Sequence, residues 1–284
     1  MKRKTAFSFF ELSIVILLIS IIIVGVTKGS LLVNKGKLAS TQRITINSEI
    51  DKIDGMVAWF ETSLENSFNV SLDIQNGTNI AIWKDHNSSN IIRNNATQTT
   101  TNNQPKFISS VINNSIPALR FDGNDSLNFN ATNLENSPYT IFIVEQRRTA
   151  ASDNYLISTN SSGGTNLIFG YSSSTNLRYS HSGSNTDFTV ENYDANQLTL
   201  KIHTLLFNNN DGTRYFLNKN NIADAVNLAQ TTNISGITAG AIGKSLPNNS
   251  FYIGDIFEII IFKRNLRDEE RQKVANYLAR KYTN

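Results

Sequence analysis

Twenty consecutive residues, Phe7 to Val26, carry a single charge, Glu11, and only Ser8, Ser13, Ser20 and Gly25 otherwise interrupt a run of Phe, Ile, Leu and Val. At about 1.5 Å per residue, a helix of this length reaches across roughly the 30 Å of a bilayer's hydrocarbon core. Lys2, Arg3 and Lys4 stand directly before it and hold the N-terminus on the cytoplasmic side. The polar chain that follows is far too long for a loop, so the run predicts one span and an exported body. A secretory signal peptide is the alternative. Its apolar region covers roughly 7–15 residues and ends at a small-residue cleavage site. Here the run is longer and holds a carboxylate near its start, which is costly in lipid unless a partner neutralises it.

The order basic cluster, Ala6, Phe7, three residues, Glu11, then an Ile/Leu run resembles the N-terminus of type IV prepilins and pseudopilins. That resemblance implies cleavage between Ala6 and Phe7 by a prepilin peptidase, N-methylation of Phe7, and a role for Glu11 in docking the subunit into a filament. Physically, the Glu11 carboxylate and the freed amine of a neighbour's Phe7 would neutralise each other in a medium that tolerates neither alone. The implied partners are other pilin-like subunits and the assembly platform. The implied location is the inner membrane, with the C-terminal part periplasmic or on an extracellular pilus. Ala6 stands where the family usually has Gly, and the helix-kinking Pro of many major pilins is absent, Gly25 and Gly29 loosening the helix there instead.

Leu31, Leu32, Leu38, Ile44, Ile46, Ile50, Ile53 and Val57 continue among polar residues at helical spacing, so one long helix is expected from Phe7 to about Asp54, ended by Gly55. Thr41, Ile44, Thr45 and Ile46 are poor helix formers within it. The parts are then a leader at 1–6, a membrane and spine helix at 7–55, and a body at 56–284. A hydrophobic content of 39% supports a real core in that body. A net charge of +3 is too small to indicate nucleic acid as a partner, and the absence of Cys excludes disulfides and thiolate metal sites.

After Gly55, short β-type runs alternate with Asn, Ser and Gly, which predicts an all-β jelly-roll sandwich and, with the helices, an α+β chain. Thr140–Val144 and Ile259–Phe262 are continuously apolar and read as central strands covered on both faces. Gln98–Gln104 reads as an exposed loop. At the C-terminus, Asp268, Glu269 and Glu270 open a helix of about four turns whose stripe is Val274, Tyr277, Leu278 and Tyr282. Trp59-Phe60, I-W-K-D-H-N at 82–87, N-N-A-T-Q at 94–98, N-Q-P-K-F at 103–107, P-A-L-R-F-D-G-N-D-S-L at 117–127 and G-D-I-F-E-I-I-I-F-K-R-N at 254–265, running on to Tyr282, together resemble bacterial laminin G-like domains. These belong to the concanavalin A-like lectin/glucanase group. The resemblance implies a surface for glycan or a surface protein, and often a loop-bound calcium ion.

For catalysis the residues offer little. Glycosidases need two carboxylates at a set separation. Glu145 is alone on its strand, and Asp255 and Glu258, three apart, fall on opposite faces of an ideal strand. Asp85-His86 reads as a turn, and His181 and His203 lack ligand-spaced neighbours, so each is structural or exposed. Asp122 and Asp125 are the candidate calcium ligands, within a stretch that equally suits a hairpin turn between Ala118–Phe121 and Leu127–Phe129. Tyr171, Tyr179 and Tyr193 are expected as exposed rings near Ser/Asn loops, able to stack on sugars. The expected protein is therefore a non-enzymatic pilin-like subunit with a binding head. The alternative is a mechanical pseudopilin without a ligand.

Overall fold

A computed structural model describes residues 8–70, 74–89, 91–182, 188–190, 198–218 and 220–283. The first helix, α1, runs from Phe9 to Ile46. Apart from Glu11 and two serines, its first turns are apolar and uncovered: Leu17 is 60% exposed and Ile22 62%. By length and composition it can cross a membrane. Further along, Thr41 and Thr45 are buried, Gln42 Nε2 donates to the Ser63 carbonyl at 2.8 Å, and the spine seats itself on the body. The helix stops at Ile46, short of the expected Asp54. The β-branched Ile44-Thr45-Ile46 is followed by Asn47 as C-cap and by Glu49 in the left-handed region at φ 56. That turn swings Ile50, fully buried, under the body, and Gly55 at φ 81 then starts the first strand.

The strands are β1 (Met56–Glu61), β2 (Ile82–Trp83), β3 (Ala96–Thr97), β4 (Lys106–Ile112), β5 (Ile116–Asp122), β6 (Leu127–Phe129), β7 (Tyr139–Arg147), β8 (Asn154–Ser161) and β9 (Asn166–Tyr171). They continue as β10 (Leu177–Ser182), β11 (Phe188–Val190), β12 (Leu200–Asn208), β13 (Gly212–Leu217), β14 (Asn220–Asn227), β15 (Ile237–Ile242), β16 (Lys244–Ser245), β17 (Ser250–Phe251) and β18 (Ile253–Phe262). Helix α2 (Asp268–Tyr282) closes the chain.

One antiparallel sheet has the order β14-β13-β12-β7-β18-β5-β4, with β1 paired to β18. The facing sheet has the order β11-β10-β9-β8-β15-β6-β3-β2. Between the two lies a core holding Phe60, Trp83, Ile141, Ile143, Phe169, Ile259 and Ile261. On the outer face of the first sheet, α2 covers Trp59, Phe142, Val144, Ile260 and Phe262 with Val274, Tyr277, Leu278 and Tyr282. The two continuously apolar runs are central strands with both faces covered, as their composition requires.

Two local expectations fail here for identifiable reasons. Asp122 to Ser126 is not a hairpin turn, because β5 and β6 belong to different sheets and the segment carries the chain across the sandwich. Asp255 and Glu258 share a face, because the register of β18 against β7 shifts between Ile256 and Glu258. The bulge inserts one residue and cancels the alternation of an ideal strand. Ile256 therefore points into the inter-sheet core, while Phe257 lies in the core beneath α2.

Candidate functional site

At the head of α1, Ser8 is the N-cap. Glu11 Oε2 accepts the Ser8 N–H at 2.8 Å and Ser8 Oγ accepts the Glu11 N–H at 3.2 Å, a reciprocal capping box. The carboxylate thus has a partner within its own chain. Ala6 and Phe7 lie outside the described residues.

The Asp122–Asp125 segment is locked by protein contacts. Asp125 is buried and its Oδ2 accepts the Asp122 N–H at 3.0 Å, while the Asp122 carboxylate lies 3.6 Å from Lys106 Nζ. Burial, helped by the Asp122 charge, pushes the Asp125 carboxyl up to about 7. Among the described residues no group of three His, Cys, Asp or Glu side chains converges as a metal site.

The charged groups that do converge are far apart in sequence. Lys281 Nζ, fully buried, donates to Glu258 Oε2 at 2.8 Å and to Glu61 Oε2 at 3.0 Å. Trp59 Nε1, Tyr277 OH and Tyr282 OH also donate to Glu258, each at 2.7–2.8 Å. Burial works to raise the Glu61 carboxyl, but the Lys281 ammonium, His86 and the Ser63 and Ser67 hydroxyls outweigh it and hold it at about 2. The cluster ties β1, β18 and α2 together, and Tyr277 OH reaches Thr45 Oγ1 of the spine at 3.4 Å. One signal for it was available in the sequence: Lys281 stands four residues after Tyr277 and seven after Val274, inside the apolar stripe.

Between the sheets sits a second network. Glu145, the lone carboxylate of β7, accepts from Tyr171 OH at 2.6 Å, from Tyr252 OH, and from His203 Nε2 at 3.0 Å. Burial keeps His203 below its usual value and therefore neutral. With Nε2 protonated it donates to Glu145, and its Nδ1 accepts from Tyr215 OH at 2.8 Å. His181 is likewise held by Tyr139 OH and the Thr232 carbonyl, both at 2.7 Å, and burial lowers it to about 4. Tyr171 and Tyr179 are therefore core residues, 0% and 1% exposed, and not sugar-stacking rings; Tyr171 OH donates to Glu145, and Tyr179 OH to Tyr139 OH and the Leu206 carbonyl. Tyr193 lies outside the described residues. Asp255 is paired separately, with Arg120 Nε at 2.7 Å and Arg148 Nη1 at 3.3 Å.

Open concavities gather around the foot of the spine and beside His86. A cleft of about 560 Å³ lies between Gln42 and Ile46 of α1 and Leu64, Phe68 and Val70. One of about 520 Å³ opens on the far side, between Lys37, Ile44 and Arg280. A third, of about 280 Å³, is walled by Asn66, Lys84, Asp85, His86, Arg93 and Asn95.

No protein-family model and no curated protein matches the chain. Among solved structures it is similar to Trypanosoma rangeli sialidase in complex with sialic acid, with a TM-score of 0.53 and 12% identity over 80% of this chain and 33% of the sialidase. The same sialidase with 2,3-difluorosialic acid gives a TM-score of 0.54 at 12% identity, again over 80% and 33% of the two chains. A looser likeness, TM-score 0.46 at 14% identity over 56% of this chain and 95% of the other, is to the CBM40 module of a Ruminococcus gnavus sialidase bound to sialyllactose. The chain spans about a third of the length of the sialidases it matches, and at such identity the likeness is one of fold.

Proposed function

We propose that this chain is a pilin-like subunit, a minor pilin or a pseudopilin, that carries a laminin G-like binding head on a membrane-embedded spine. In this reading residues 1–6 are a leader removed by a prepilin peptidase, 7–55 form anchor and spine, and 56–284 form the head. The observation that carries it is the continuity of α1. One unbroken helix is apolar and uncovered from Phe9 to Val26, holds its only acid of that stretch at Glu11, and ends packed on the body through Thr41 and Thr45. A plain anchor needs neither the carboxylate nor a rigid joint to the body.

The head is read as binding rather than cutting. The paired carboxylates Glu61 and Glu258 are fully buried and held by Lys281, Glu145 is enclosed by phenols and His203, and Asp255 is tied to two arginines. None is free to protonate a leaving group beside a second free carboxylate, as glycoside hydrolysis requires. Calcium at Asp122 and Asp125 belongs to the same proposal. The likeness in fold to a sialidase bound to sialic acid fits a head that meets glycans. The deciding experiment is mass spectrometry of the protein purified from its native membrane. A mature N-terminus at methylated Phe7 supports the reading. An intact Met1, or cleavage after the apolar run, overturns it. A head that retains no glycan and no surface protein leaves the mechanical pseudopilin.

A further inference from the structure

The cleft beside His86 carries two basic side chains, Lys84 and Arg93, in its wall. Its backbone is rigidly laced: Asp85 Oδ1 accepts the Trp59 and Asn87 N–H groups at 2.9 Å each, and Oδ2 accepts the Asn94 N–H at 3.0 Å. Asn95 Oδ1 accepts the Asp85 N–H at 3.0 Å, and the Lys84 N–H donates to the Ser67 carbonyl at 2.8 Å. The two segments bearing Lys84 and Arg93 are thereby clamped to each other and to β1. The only carboxylate in the wall, Asp85, is turned inward onto those backbone donors and is buried. Among the described residues neither Lys84 nor Arg93 forms an ion pair, whereas most other basic groups of the body, Arg120, Arg148, Arg264, Arg271 and Lys281 among them, do. His86 closes the floor, its Nε2 3.3 Å from Ser67 Oγ.

We infer that this cleft is an anion site of the head, taking the carboxylate or sulfate of one acidic sugar unit. Two free cations on a fixed frame supply charge-assisted hydrogen bonds to one anionic group. The amides of Asn66 and Asn95 offer donors suited to hydroxyls. Ile91 and Ile92, 102% and 87% exposed, directly precede Arg93 in the chain and leave apolar surface available to the C–H face of a bound ring. A volume of about 280 Å³ suits a single sugar unit rather than a folded partner. Two cations in a chain of net charge +3 are too few to track a nucleic-acid backbone.

This inference rests on the reading of the head as a binding module, and its test separates the two. The full chain in detergent is passed over immobilised polygalacturonate, dextran sulfate and uncharged dextran. The double variant Lys84→Ala/Arg93→Ala and the control Lys263→Ala, at an exposed lysine elsewhere, are run alongside. Retention on one of the acidic polymers should fall at least about tenfold in the double variant, with the thermal transition unchanged, and should persist in the control. Preference for polygalacturonate assigns the carboxylate, and preference for dextran sulfate the sulfate. Equal retention of wild type and double variant, or equal loss in the control, overturns the site and leaves a binding head. Retention on uncharged dextran alone does the same. No retention on any polymer overturns the site and removes support for a glycan-binding head as well.

Discussion

Leu17, in the first half of α1, is 60% exposed, while Lys281, at the end of α2, is buried with a side chain 0% exposed. In a protein surrounded only by water both would be misplaced. The two regions reverse the usual rule for different reasons. Around Leu17 the helix is apolar and uncovered, and it is long and apolar enough to cross a membrane. Around Lys281 every donor is matched: two carboxylates face one ammonium, and three aromatic donors complete Glu258. Burial of charge survives only with such complete pairing. The contrast teaches that the spine's stability depends on its surroundings, whereas the head carries its own.

The strongest way to break the contrast is to unpair the head. Lys281→Met should destabilise it by about 3–5 kcal/mol, because Glu61 and Glu258 are left facing each other without a cation. Denaturant titration of the full chain in detergent measures it. The triple change Glu61→Gln/Glu258→Gln/Lys281→Met should recover much of the loss. Equal stability of Lys281→Met and wild type would show that the cluster is not a strut.

An equivalent insult to the spine should leave the head untouched. Leu17→Arg places a charge at the middle of the apolar run and should cost about 2.5–3.5 kcal/mol of membrane insertion. Carbonate extraction should move the chain from membrane to supernatant while the denaturation midpoint of the head stays put.

Glu11 tests the join between the two regimes at a smaller scale. Glu11→Gln keeps a capping acceptor at its position and loses the charge, while Glu11→Val loses both. If the carboxylate pairs with a neighbouring subunit, both variants insert normally and both fail to enter filaments. If it only caps the helix, Gln assembles normally and Val shows a loss of about 1 kcal/mol or less in helix stability.

The smallest effect concerns pH. Asp125 titrates at about 7 in the fold against 3.8 for the free side chain, so the raised value belongs to the folded state. Its contribution is fully present below about pH 4 and is lost as pH rises towards 7. Asp125→Asn keeps the acceptor for the Asp122 N–H and should lose less stability between those limits than wild type does. Parallel thermal melts across that window report the difference, and identical slopes would remove Asp125 from the account.

The sequence by itself determined the membrane-competent helix, the two central strands and the amphipathic α2. Each is written in neighbouring residues: an uninterrupted apolar run, a continuous Thr140–Val144 or Ile259–Phe262, a stripe at Val274, Tyr277 and Leu278. It also carried the warning at Thr41, Ile44, Thr45 and Ile46, although the stop at Ile46 needed Ile50 to be drawn under the sheet. Tertiary structure alone decided the rest. Glu61 and Lys281 meet across 220 residues, and His203 and Glu145 across 58. A one-residue bulge turned Glu258 toward α2, and a change of sheet turned a supposed hairpin into a crossing. Lys84 and Arg93 became neighbours in the His86 cleft only through the bonds that Asp85 makes to the Trp59 and Asn94 backbone. Local pattern records which solvent each segment prefers; which charge meets which is set by contacts between strands that the chain visits far apart in sequence.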